Sequence, residues 1–327
     1  MSMEFGALAA AAASDGTISA EEILELRRTG WADGTIGPDE AEALFSANDA
    51  CTQPSHEWCD FFVEALSTFI VQSVPPAGYI DDEMGDELIA RIDCDGKLGT
   101  LAELELLVRV LEIANNAPDR LKAYALGQIE DAVLSGEGPT RHGELAAKGI
   151  NETECTLLRR LIFAPAGGGP AAVSKAEAEM LFRLKDAALY DVNAPEWEKL
   201  FVQGVANYLF GFGGHEPLER ERAAELESFM NSEGGGIGGF LGRMLTSKPD
   251  LGGAFGSLLG TTNEADRGVE AYDDEAEAAA VLEPGEADWL RDQLEADEEL
   301  DEYEKALIAF IDRETGEQFV PRPVSVA

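Results

Sequence analysis

Residues 40–50, EAEALFSANDA, and residues 177–187, EAEMLFRLKDA, are identical at seven of their eleven positions. Self-similarity at this distance marks one structural unit used twice. The match extends in both directions. Upstream, Ile18, Glu22 and the LRR ending at Arg28 answer Ile150, Glu154 and the LRR ending at Arg160. Downstream, Glu57-Trp58 and Phe62-Val63 answer Glu196-Trp197 and Phe201-Val202. A weaker echo relates ELIARIDCDGKLGTLAELELLVRVLE to DWLRDQLEADEELDEYEKALIAFID, with Leu98 opposite Leu300 and Glu103 opposite Glu304.

The repeated segments read as helices. Trp58, Phe61, Phe62, Ala65, Leu66, Phe69 and Ile70 share one face at helical spacing, as do Leu104, Leu107, Val110 and Leu111, while strand-type alternation is nearly missing. Ser19 before Glu21-Glu22, Pro38 before Asp39-Glu40 and Ser174 before Glu177 mark helix starts by a cap or first-turn residue and carboxylates that complement the helix dipole. The expected fold class is all-α, a tandem duplicated bundle of helix hairpins. The first unit is expected over 1–135, the second over 145–212 and 282–315, with an insertion over 213–281.

That insertion contains ten glycines between Gly234 and Gly260 and an acidic stretch, YDDEAEAAA. So much glycine reads as a flexible linker carrying short apolar clusters. Phe240, Leu241, Met244, Leu245, Phe255, Leu258 and Leu259 are its candidate partner-binding residues, through protein docking or peripheral membrane contact. Gly234, Gly236 and Gly239 match a G-x-G-x-x-G spacing, but they follow a helical pattern where a dinucleotide site needs a strand.

Sixty-four acidic against 24 basic side chains give a net charge of -40. Such a surface repels nucleic-acid phosphates and anionic lipids, and favours solubility, cationic partners and divalent ions. Cys51, Cys59, Cys94 and Cys155 form no C-x-x-C motif and read as thiols in a reducing, cytoplasmic compartment. Glu4 and the lack of early Lys or Arg speak against a secretory leader, and no uncharged run is long enough for a transmembrane helix.

The turns SDGTISAEE and ADGTIGPDE each place a carboxylate six residues after the glycine, at Glu22 and Glu40, as the second half of a calcium loop does. A full loop also needs oxygen ligands at its first and third positions. Those positions hold Ala11 and Ala13 ahead of Gly16, and Thr29 and Trp31 ahead of Gly34. RIDCDGKLG keeps Asp93 and Asp95 but has Arg91 first and Ala102 twelfth. What every version keeps is an apolar residue (Ile18, Ile36, Leu98, Val173 or Leu300) followed by a helix start, a requirement of turning one helix onto the next. Asp15, Glu22, Asp33, Glu40, Asp93 and Asp95 are the candidate ligands should Ca2+ bind.

ALAAAAASDGTISAEEILELRR resembles the start of the TerB-like (tellurite-resistance type) α-helical domains, and the paired turns resemble degenerate EF-hands. The likeness is concentrated at 7–48 and 90–111 with their repeats. It implies a helical bundle, sometimes with divalent metal on acidic residues, acting in stress-response or envelope-associated complexes instead of as an enzyme.

Catalysis has little support in the residues. His56, His142 and His215 are far apart, and no G-x-S-x-G, H-E-x-x-H or P-loop pattern occurs. Cys51, His56 and Cys59 lie close together but lack a fourth ligand for zinc. The leading expectation is therefore a non-catalytic acidic helical interaction module with no resident cofactor. The alternatives are a divalent-cation sensor or buffer, and an acidic mimic of nucleic acid that occupies a basic protein site.

Overall fold

Helix boundaries fall where the local chemistry directs them. Ser19, Thr100, Asn151, Ser174 and Asp301 each accept a backbone N–H from the glutamate three residues on, and that glutamate's carboxylate accepts the cap's own N–H. Two first-turn donors are satisfied each time, and the carboxylate sits on the positive end of the helix dipole. Glu40 does the same for Gly37, at 2.9 Å, ahead of a proline in the first turn.

A computed structural model describes residues 2–31, 35–94, 96–141, 149–166, 173–210, 282, 284–294, 299–316 and 318–321. The helices are α1 (Ser2–Ala12), α2 (Ala20–Gly30), α3 (Pro38–Ala50), α4 (His56–Gln72), α5 (Asp82–Ile92) and α6 (Leu101–Ile113), then α7 (Asp119–Ser135), α8 (Glu152–Ile162), α9 (Lys175–Ala188), α10 (Trp197–Leu209), α11 (Pro284–Leu294) and α12 (Glu302–Thr315). The fold is all-α. The glycine-rich stretch and its seven candidate docking residues lie outside the described residues, as do Asp33 and Asp95.

Packing follows a pattern. α1 lies against α2 and α3, α4 against α2, α3 and α6. α7 lies against α8 and α9, α10 against α8, α9 and α12. α6 also packs on α7 and α8, so one continuous core runs through both sets. Trp58 and Trp197, each fully buried, pack edge-on or tilted against Phe61-Phe62 and against Phe201 respectively. Full burial of a phenylalanine such as Phe61 contributes about 1.5–3 kcal/mol, so these aromatic layers anchor the α4 and α10 faces. Ile18, Ile36, Leu98 and Val173, the apolar residues preceding helices, are buried.

A two-residue antiparallel ribbon, β1 (Asp93–Cys94) with β2 (Lys97–Leu98), interrupts the helices between α5 and α6. Gly96, at φ 86°, closes its turn and donates its N–H to Asp93 at 2.7 Å. Gln128 of α7 fixes the ribbon from the side, accepting from Leu98 N at 3.0 Å and donating to Gly96 O at 3.1 Å. Among the described residues, no helix is long and apolar enough to cross a membrane.

Candidate functional site

Of the carboxylates read as candidate calcium ligands, the four that are described accept hydrogen bonds from nearby backbone. Asp15 accepts from the N–H and hydroxyl of Thr17 at 3.0 and 2.9 Å, bonds that hold its carboxyl below the usual aspartate range. Glu22 accepts from Ser19 N and Oγ, and Glu40 from Gly37 N. Asp93 accepts from Gly96 N and from the Tyr124 hydroxyl at 2.8 Å; burial first, and that bond second, push the phenol up. Among the described residues, no three His, Cys, Asp or Glu side chains converge on a point that could hold a metal ion. His56 is exposed, and Cys51 donates to Gly16 O at 3.6 Å. Burial raises the thiol pKa of both Cys51 and Cys59.

The polar chemistry is concentrated elsewhere, at glutamates buried beneath helix starts. Glu103 is 5% exposed and receives Asn48 Nδ2 at 3.3 Å; the same amide donates to Thr100 Oγ1 and accepts from Trp58 Nε1 at 3.2 Å. Burial raises the carboxyl pKa of Glu103, against the lowering pull of the Thr100 and Gly99 hydrogen bonds. In the repeat register Asn48 answers Lys185, and Lys185 is almost fully buried. Its ammonium meets Asp301 at 2.5 Å, Asp186 at 2.7 Å and Glu304 at 2.8 Å. Burial alone would depress this lysine; the three carboxylates override it and raise its pKa. A lysine cannot accept a hydrogen bond. Trp197 Nε1, the counterpart of Trp58 Nε1, is buried with no hydrogen-bond partner among the described residues.

Two further buried pairs belong to the α7–α9 region. Arg141 and Glu154 meet at 2.6 Å with both side chains almost wholly enclosed, and Thr140 also donates to Glu154. Burial still pushes the Glu154 carboxyl up, against the pull of its hydrogen bonds and of Arg141. Lys122 and Glu177 meet at 2.7 Å.

Two clefts occupy matching positions. One, about 750 Å3, lies between α1 and α3; the other, about 530 Å3, lies between α7 and α9. Asp39, Ala43 and Ser46 line the first, and their register partners Ala176, Met180 and Arg183 line the second. From the facing helix and the turn that continues it come Gly6, Ala10 and Ala13 in one case, and from α7 come Ala123, Gly127 and Glu130 in the other, both at i, i+4, i+7. Their chemistry differs. The first cleft is lined by Asp15, Asp39 and Glu42 over small residues, with no Lys or Arg among its described lining residues, although Arg91 reaches Glu42 at 3.1 Å from outside it. The second pairs Lys122 with Glu177 and Arg183 with Glu130, beside Leu126, Val173 and Met180.

Gly127 sits in the middle of α7, where glycine costs about 1 kcal/mol relative to alanine. Gly30, Gly85 and Gly204 have close neighbours (Phe5, Pro118 and Leu181) that leave no comfortable room for a side chain. Around a Cβ at Gly127, no described atom lies within 4 Å.

Sequence reasoning placed the capping glutamates and the aromatic layers but missed the buried cations. Lys185 stands among Met180, Leu181, Phe182, Leu184 and Ala188, and a cation on such an apolar helix face is the signal that was available in the sequence. No protein-family model, curated protein or solved structure matches the chain.

Proposed function

We propose that this chain is a non-catalytic interaction module built of two related six-helix units, whose first cleft seats a basic helical segment of a partner protein. The observation that carries this reading is the recurrence of a cleft at register-matched positions of α3 and α9. The two helix sets, α1–α6 and α7–α12, support a duplication with its boundary at the Ala114–Pro118 connection, which moves α7 out of the first unit expected over 1–135 and into the second. The Ala-rich walls of the first cleft admit a helix closely, and its carboxylates suit Lys or Arg. The net charge of -40 would steer such a partner toward it. The resemblance of residues 7–48 to TerB-like domains agrees with a helical scaffold, as do thiols at Cys51, Cys59 and Cys155 with a reducing cytoplasm.

The test is affinity purification in parallel from wild type, Ser46→Trp and Asp39→Lys/Glu42→Lys, each at 50 and 300 mM salt. A protein held by wild type at low salt, released at high salt and lost from both cleft variants is the expected result. Equal capture by all three removes the first cleft from the function.

A further inference from the structure

We propose that the α7–α9 cleft is a binding site for a small organic monocation with an apolar body, such as an aliphatic amine. The site differs from the peptide-seating cleft and stands or falls separately from it. Its volume of about 530 Å3 suits a small molecule. Leu126, Val173 and Met180 supply apolar surface. Lys122 and Glu177, each with its side chain only 8% exposed, form a fixed ion pair among the lining residues, and Arg183 is committed to Glu130 by two hydrogen bonds.

The sign of the ligand follows from this pairing. Both cations are already neutralised, whereas Asp119 has no cation within ion-pair distance among the described residues. The cleft therefore carries one uncompensated negative charge on a strongly acidic protein. An anion would have to displace a bonded carboxylate and approach against that field; an ammonium has Asp119 waiting for it.

Gly127 leaves the backbone of α7 bare at the cleft wall. No described atom lies within 4 Å of a Cβ at Gly127, as is also true at Gly285 of α11, but Gly127 lines the cleft. A glycine in that position lets a ligand approach the helix closely.

Calorimetry at 150 mM NaCl with butyl-, pentyl- and hexylammonium reads the site directly, using the full chain. Wild type is expected to bind with affinity rising roughly threefold per added methylene, while hexanesulfonate does not bind. Gly127→Phe and, independently, Ala176→Phe fill the cleft from its two walls and should abolish binding, with circular dichroism confirming the fold of each. Asp119→Asn should weaken hexylammonium about threefold, and Glu21→Gln, exposed on α2, should leave it unchanged. Ser46→Trp must also leave it unchanged, which separates this site from the first cleft. No chain-length-dependent binding to wild type, equal binding of the sulfonate, or persistence in both filled variants overturns the proposal.

Discussion

The two halves solve the same problem with opposite electrostatics. Each starts three of its helices on a glutamate that caps the backbone: Glu22, Glu40 and Glu103 in one, Glu154, Glu177 and Glu304 in the other. In the second half every such glutamate is buried against a cation, Arg141, Lys122 or Lys185. In the first half none has a cation within ion-pair distance among the described residues; two remain partly exposed, and Glu103 is buried on a neutral amide. Capping geometry is thus a backbone requirement, whereas how the carboxylate's charge is met can vary.

The largest expected effect comes from taking one ion away. Lys185→Met leaves Asp301 and Glu304 enclosed without their cation, and removing one partner of a buried pair costs about 3–5 kcal/mol. Chemical denaturation of the full chain measures it. Asn48→Ala, at the matching position, removes only neutral hydrogen bonds to Glu103 and Trp58 and should cost about 1–3 kcal/mol. Equal losses would break the comparison.

Neutralising the glutamates themselves should give opposite signs. Glu304→Gln weakens the hold on Lys185 and should cost about 2 kcal/mol at pH 7. Glu103→Gln keeps a carbonyl oxygen for Gly99, Thr100 and Asn48 while removing a buried charge, and should be neutral or stabilising by about 0–1 kcal/mol. The pH dependence sharpens this. The folded pKa of Glu103 lies above the ordinary 4.5, so the folded state binds the proton more tightly. Its ionisation therefore destabilises the fold as pH rises from 4.5 through the raised value, and the advantage of Glu103→Gln should grow across that window.

Glu112 has the reverse sign, because hydrogen bonds and charge from Arg160 of α8 hold its carboxyl below 4.5. Its contribution is complete above 4.5 and is lost as pH falls through the depressed value. Thermal melts of Glu112→Gln and wild type should therefore converge in acid. Failure to converge would mean that this contact between α6 and α8 contributes nothing to stability.

What the sequence made legible was what depends on local chemistry. The helix starts at Ser19, Ser174 and Pro38, the apolar faces around Trp58 and Leu104, and the all-α class follow from capping and periodicity. The ribbon at Asp93–Leu98 was missed because two paired residues leave no alternating pattern; Gln128, thirty positions away, holds it. The buried cations were missed for a related reason. Arg141 and Lys122 stand in polar surroundings in the sequence, and their enclosure is created by helices that pack over them. Neither cleft is legible either, since Ala43 and Met180 face solvent-accessible gaps only after α1 and α7 have docked.

The effect most specific to the asymmetry is expected at the two tryptophans. Trp58→Phe takes the indole N–H from Asn48 Oδ1, leaving a buried acceptor unsatisfied, and should cost about 1–2 kcal/mol beyond the lost packing. Trp197→Phe removes an N–H that has no partner among the described residues, so only packing is lost and part of a desolvation penalty is recovered. The difference between the two substitutions reads the worth of an amide where its repeat partner is an ammonium. Lys185→Asn combined with Trp197→Phe closes the test: an amide in place of the ammonium would offer Trp197 an acceptor, so the tryptophan substitution should cost more in the Lys185→Asn background than in wild type. If it costs the same in both, the side chain at this position does not decide whether the indole is satisfied, and the neutral and charged nodes are alike in that respect.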